Sequence, residues 1–357
     1  MNDVAELKHF ALTHARAQNL GDTGELLARI TSDEGEEPGS WAGEWRRRGD
    51  ALHARGRLLD AVRHYNMARF PGVDGPARRG AADAAVRAFA HWAADHGVER
   101  LEVGPPGERV ACWAAGLSRS APRPLVLVCG GIVSPKEQWA PALSAIRRAG
   151  LAGVVTEMPG VGENQTVYGP QSWRLFPRLL DAVADRADVA RSCAMALSFS
   201  GHLALRAAAE DPRIRGVVTA GAPVSAFFTD EEWIRALPRV TVDALARLSR
   251  TTPDRLTEVL SELALSSEEL AALRIPVAYS ASLRDEIVPA ADLALLRRHV
   301  RDLRVVAHDD VHGAPSHVAQ TRVWALLNVV RLQRGPGVRT ALLAAVLAAL
   351  RALPRRP

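Results

Sequence analysis

Ser198, Asp285 and His312 follow one another along the second half of the chain, each just beyond an apolar run that reads as a buried strand. A serine hydroxyl is a weak nucleophile at neutral pH. A histidine must take its proton, and a carboxylate must fix that histidine's tautomer and stabilise the imidazolium. The chemistry such a set supplies is attack on a carbonyl carbon. Ser198 stands in Ala196-Leu197-Ser198-Phe199-Ser200-Gly201-His202, between the apolar run 192–197 and a helix-like run 201–209, which places it on a sharp strand-to-helix turn. Such turns ordinarily carry glycine two residues before and after the serine, because side chains there collide across the elbow. Here Ala196 and Ser200 are small replacements, and Gly201 lets the helix pack closely. Taken alone, Ser198 reads equally well as a helix N-cap. The order of its partners separates the two readings.

Asp285 follows the run Ile275-Pro276-Val277-Ala278-Tyr279-Ser280 directly, and for that reason it is preferred as the acid over Glu286, Asp309 and Asp310. His312 lies in Asp309-Asp310-Val311-His312-Gly313, after a last strand and before a helix spanning about 315–332. It is preferred as the base over His317, which begins that helix. Pro124-Leu125-Val126-Leu127-Val128-Cys129 ends in Gly130-Gly131-Ile132, ahead of a helix over 137–148. Gly131, Ile132 and Phe199 are therefore the expected oxyanion-hole residues, with backbone N–H groups and a helix dipole aimed at developing negative charge. A phosphate loop is the other reading of paired glycines, but no G-x-G-x-x-G or Walker lysine follows.

At 357 residues and a formal charge of +5, the chain is large enough for one domain with an appendage or for two. Its positive charge is almost all arginine, since Lys8 and Lys136 are the only lysines. Basic and acidic residues are interspersed and aromatics few, so nucleic acid is not an expected partner. Cys112, Cys129 and Cys193 are odd in number and lack metal-ligand spacing, and they read as reduced core residues. No metal and no organic cofactor is expected. Residues 1–19 lack the apolar core of a secretory signal, which points to the cytoplasm. The apolar stretch 341–350 is too short to span a bilayer and reads as a terminal helix packed on the body. The Arg355-Arg356 tail keeps surface attachment as a minor option, and a homodimer is left open.

The elements that must position these groups change character along the chain. Residues 1–97 read as helices. Trp41, Trp45, Ala51, Leu58, Ala61, Tyr65 and Ala68 recur at a helical period, and Gly56 marks a turn in a hairpin of the tetratricopeptide type that has no further copies. From residue 98 strands alternate with helices: 98–103, 109–115, 124–129, 153–157, 192–197, 216–220, 275–280 and 303–308. This implies an α/β fold with a mostly parallel eight-stranded sheet covered on both faces and its active residues at the carboxyl ends of the strands. The expected domains are a helical cap over 1–97, a catalytic domain over 98–335 with a helical lid insertion near 225–273, and a helical tail over 336–357. The loop Glu157-Met158-Pro159-Gly160-Val161-Gly162-Glu163 reads as a shaped turn, with Glu157 as a pocket group in the minority reading. His202, Trp139, Tyr168 and Trp173 read as structural or pocket-wall residues.

Over roughly residues 40–333 the chain resembles the esterase-like α/β-hydrolases that include the fermentation-respiration switch protein and dihydropseudooxynicotine hydrolase. The resemblance rests on the Trp/Ala/Tyr hairpin, on VLVCGGIVSPKEQ from Val126, TEMPGVGEN from Thr156 and ALSFSGH from Ala196, and on RDEIVP and DDVHGAP. It departs from the pattern at the elbow glycines. The resemblance implies a helical N-terminal cap and a metal-free Ser198/Asp285/His312 site that attacks the carbonyl of a mid-sized, partly aromatic or polyketide-like metabolite, as expected in secondary metabolism. Ester, thioester, amide or ketone hydrolysis is the first reading. Acyl elimination, acyl transfer or cyclisation with the same triad is the variant. A non-catalytic interaction protein on the same fold is the reading from another class, and the intact triad argues against it.

Overall fold

The computed structural model of the chain describes residues 2–21, 23–105 and 108–353. It begins with α1 (Val4–Ala17), α2 (Thr23–Arg29), α3 (Trp41–Ala54), α4 (Leu58–Ala68) and α5 (Pro76–Ala94). Local chemistry sets their starts: Asp3 accepts from the N–H groups of Ala5 and Glu6, Ser40 accepts from Gly43, and Pro76 opens α5 where its missing N–H costs nothing. α3 and α4 form the expected hairpin, turning at Gly56 with φ +72°. Trp41 Nε1 donates to the Met67 carbonyl at 2.8 Å. One expected core position fails: Ala51 is exposed, and Leu52 is buried in its place. Eleven residues from Trp41 complete about three turns, whereas ten fall short of the inward face.

The strands are β1 (Glu99–Val103), β2 (Val110–Ala115), β3 (Pro124–Cys129), β4 (Ala152–Thr156), β5 (Asp188–Ala196), β6 (Ile214–Ala220), β7 (Val277–Ser282) and β8 (Leu303–His308). They form one eight-stranded sheet in the order β1-β2-β4-β3-β5-β6-β7-β8, in which β2 runs antiparallel to both neighbours and β3 to β8 are parallel. Alternate residues of the wholly buried β3 serve opposite faces. Leu125 and Leu127 join one apolar cluster, and Val126 and Val128 join the other.

The crossovers supply α6 (Lys136–Trp139), α7 (Leu143–Arg148), α8 (Leu175–Ala182) and α9 (Phe199–Glu210). The single helix expected over 137–148 is broken by a 3₁₀ turn, Ala140–Ala142, because Pro141 has no N–H to give an α-helix interior. Between β6 and β7, residues 225–273 fold as α10 (Ala226–Thr229), α11 (Glu231–Ala236), α12 (Arg239–Leu248), α13 (Leu256–Ser261) and α14 (Ser267–Ala272), and α15 (Ala290–His299) links β7 to β8. The closing helices are α16 (Val318–Arg334), entered through a 3₁₀ turn at Pro315–His317, and α17 (Val338–Ala352).

One face of the sheet is covered by α3 to α5, α7, α16 and α17, and the other by α8 to α15. A third cluster joins Leu7 of α1 to Trp41, Phe70 and Val240, so the first helices bridge to α12. In α17, Leu347 packs inward while Val338, Leu342 and Val346 stay exposed, and Arg355-Arg356 lies outside the described residues. All three cysteines are free and buried. Among the described residues no helix is long and apolar enough to cross a membrane.

Candidate active site

Ser198 sits between the end of β5 and the first residue of α9 with φ +58° and ψ −131°. A non-glycine residue held there costs about 1–3 kcal/mol and persists only where its surroundings over-determine it. The residue occupies the N-cap position, yet its side chain caps no helix N–H. Its Oγ lies 2.9 Å from Nε2 of His312 instead. His312 Nδ1 is 2.9 Å from both carboxylate oxygens of Asp285, whose Oδ1 also accepts from the N–H groups of Ile287 and Val288. The carboxylate claims the imidazole proton at Nδ1, which leaves Nε2 as acceptor for the serine hydroxyl. Burial works against a charged His312, but the charge and hydrogen bond of Asp285, with Glu286 adding, carry its pKa above the usual histidine value. Glu286 also accepts the His312 backbone N–H at 2.9 Å.

The small elbow residues have distinct functions in the fold. Ser200 Oγ lies 3.0 Å from the carbonyls of both Cys129 and Leu197, tying the elbow to the end of β3. The position that cannot bear a side chain is Gly201, where a Cβ would stand 2.1 Å from Thr219 Oγ1 and 2.6 Å from Ala222 Cβ. Across the site, a Cβ on Gly131 would approach Ser198 Cβ to 3.1 Å, and one on Gly130 would strike the Trp139 indole at 2.3 Å. Gly131, Ile132 and Phe199 therefore flank Ser198 on the wall of a cavity of about 510 Å³, whose surface is mostly apolar. Its lining also takes in Val240 and Thr241 of α12, Ile287, Phe10 and His14 of α1, Met195 and Val329.

The other candidates fall elsewhere. His317 Nδ1 is 2.9 Å from Asp310 Oδ2 in a second, buried His–Asp pair, and Asp310 also holds the N–H groups of Val311 and Ser316. Asp309 pairs with Arg284 at the surface. His202 is buried with Nε2 at 2.7 Å from the Leu263 carbonyl, Tyr168 is core, and Trp139 lines the cavity.

The 157–163 loop is the shaped turn expected, with Gly160 at φ +79° and Gly162 at φ +57°, but Glu157 does not line the cavity. It is fully buried and accepts from the Lys136 backbone N–H at 3.0 Å, from Lys136 Nζ at 3.1 Å and from the Glu163 N–H at 2.7 Å. Lys136 Nζ also meets Glu137 and Glu163. Burial opposes the lysine's charge, but Glu157, Glu137 and Glu163 carry its pKa upward. Burial likewise opposes the Glu163 charge, yet Arg100 and Lys136 bring that carboxyl down to about 2. The cluster fixes α6 just beyond the Gly130-Gly131 loop, and Arg69 of the α4 C-terminus donates to the Val133 carbonyl in the same loop. One signal was visible in the sequence: in an arginine-rich chain, Lys136 is one of two lysines. A compact ammonium can serve several carboxylates around one point where a planar guanidinium cannot. Among the described residues no group of three or more His, Cys, Asp or Glu is arranged to hold a metal ion.

Comparison with known proteins agrees with this architecture. A family model described as "FrsA-like: Esterase FrsA-like" matches residues 40–291. Esterase FrsA of Vibrio cholerae serotype O1 is 26% identical over 264 residues, covering 64% of this chain and 63% of that protein. The match to Esterase FrsA of Salmonella newport is 25% over 236 residues, 59% of this chain and 56% of that protein. The chain thus spans less than two thirds of the length of these curated relatives. Among solved structures, one described as AbyA5 wild type superposes with a TM-score of 0.94 at 54% identity, covering 98% of this chain and all of that one. The 2,6-dihydroxy-pseudo-oxynicotine hydrolase superposes with a TM-score of 0.72 at 17% identity over 92% of this chain and 98% of that one, a likeness of fold alone.

Proposed function

The chain belongs to the FrsA-like esterase family, and from that premise we propose that it is a serine esterase acting on an apolar, mid-sized carbonyl compound. The observation that carries this reading is the continuous relay from Ser198 Oγ through His312 to Asp285, with every heavy-atom distance at 2.9 Å, opening on the cavity beside Gly131 and Phe199. Ser198 Oγ attacks the carbonyl carbon while Nε2 of His312 takes its proton, and Asp285 stabilises the imidazolium. The carbonyl oxygen gains the electron pair and is held by backbone N–H groups of the 131–132 loop and of Phe199, at the positive end of α9. His312 then returns the proton to the departing alkoxide oxygen. Water, deprotonated by the same histidine, releases the acid from Ser198.

A second reading follows from the mostly apolar wall, to which α1 contributes, and which favours chemistry with little water. There His312 removes a proton from the carbon adjacent to the one bearing an acyloxy group. The C–O bond breaks, a carboxylate leaves and an alkene remains. A fluorophosphonate tests the premise: an adduct mapped to Ser198 by mass spectrometry supports it, and labelling elsewhere or none overturns it. A single turnover of a medium-chain acyl ester in ¹⁸O-water then separates the readings, since hydrolysis labels the released acid and elimination leaves it unlabelled beside an unsaturated product.

A further inference from the structure

α1 turns Phe10, Thr13, His14, Ala17 and Gln18 toward the cavity, a row at i, i+3, i+4, i+7 and i+8. A helix face that merely packs is apolar at those positions, and here three of the five are polar. His14 lies against the Phe70 ring with centroids 4.7 Å apart, and its ring nitrogens meet no hydrogen-bond partner among the described residues. Burial first, then the nearby His312 and Arg69, lower its pKa to about 4. At neutral pH it therefore offers one N–H and one lone pair and no charge.

The helix that carries His14 is tied at both ends. Glu6 accepts the Val240 N–H at 3.3 Å, Arg322 donates to the Ala17 carbonyl at 2.9 Å, and Gln18 Nε2 lies 3.3 Å from Met67 Sδ. The neighbouring Arg69 is turned to the Val133 carbonyl. A fixed, neutral imidazole on a mostly apolar wall favours a partner that is uncharged and can accept or donate one hydrogen bond, because burying such a ring without one is unfavourable. α1 also precedes the family-matched residues 40–291, so the group belongs to an element outside that match.

We propose that His14 is a specificity-determining residue that hydrogen-bonds an uncharged oxygen function, hydroxyl or carbonyl, on the substrate away from the carbon that Ser198 attacks. The proposal rests on the cavity being the substrate site. Calorimetry on the full chain tests it with decan-2-one and its monohydroxylated isomers as probes, comparing the native protein with H14F, H14Q and S198A. At least one hydroxylated isomer should bind the native protein about tenfold more tightly than decan-2-one, the worth of one well-made hydrogen bond. H14F should lose that preference while binding decan-2-one within about threefold of native, H14Q should keep part of it, and S198A all of it. Absence of any preferred isomer, a preference that survives in H14F, or equal weakening of every ketone in H14F overturns the assignment. The readout needs no turnover, so an unlabelled Ser198 in the fluorophosphonate experiment would sink the esterase reading and the position relative to the attacked carbon, while the hydrogen bond to His14 stands or falls on the calorimetry alone.

Discussion

Gly221 lies directly against His312: a Cβ built on it would stand 2.7 Å from the imidazole Cε1 and 3.1 Å from Nδ1, with Asp285 Oδ2 at 3.5 Å. The glycine follows β6 with φ +57°, so both space and backbone favour the absence of a side chain. Gly221→Ala should therefore push the imidazole off its line to Ser198. A misplacement of this order lowers kcat by roughly 10²-fold. The check is kcat for an acyl ester together with Tm, and a fully active variant would mean that the His312 position is not set from this side.

Ser198→Ala and His312→Ala should each lower turnover by roughly 10⁴ to 10⁶ while the protein stays folded. His317→Ala should instead act on stability, because it removes the partner of the buried Asp310. A larger rate loss in His317→Ala than in His312→Ala, measured at equal folded fraction, would reverse the assignment of the base.

Ser198→Gly should raise stability while abolishing activity. Removing the Cβ at φ +58°, ψ −131° relieves about 1–3 kcal/mol of backbone strain, partly offset by the greater freedom of glycine in the unfolded chain. Urea unfolding decides it, and a variant less stable than native would show that the elbow is unstrained.

The base must be neutral to accept the serine proton, so kcat/KM should fall as pH drops through the His312 pKa, with a midpoint above 6.5. Asp285→Asn removes the main cause of the upward shift and should move that midpoint down in whatever activity remains. The linked stability has the matching sign: protonated His312 stabilises the fold below 6.5, and this contribution is lost as pH rises through the raised folded value. Comparing native with His312→Asn unfolding across pH measures it, and a difference that grows with rising pH contradicts the assignment.

Lys136→Met leaves Glu157 fully buried without its cation, a change that costs about 3–5 kcal/mol. The double variant Lys136→Met/Glu157→Gln should recover much of that loss by removing the unpaired charge. Denaturant midpoints test both, and equal losses in the single and double variants would mean that the pair is not the source of the effect.

The sequence by itself determined the strands of the sheet and the order in which the candidate residues follow them. Short apolar runs such as 124–129 and 303–308 are strands because their alternate residues meet covered faces, and that signal is local. Chain order likewise set Ser198, Asp285 and His312 after β5, β7 and β8. The tertiary structure alone decided who partners whom. Asp309, Asp310, His312 and His317 lie close together in the chain, yet the path after β8 sends His312 to the distant Asp285 and His317 to Asp310. The carboxylates gathered round the Lys136 ammonium, the polar inner face of α1 and the bare backbone of Gly221 were equally invisible, although the rarity of lysine marked Lys136 itself. Each is defined by what approaches it from far along the chain, across separations such as the 114 residues between Ser198 and His312, and periodicity carries no record of such distances.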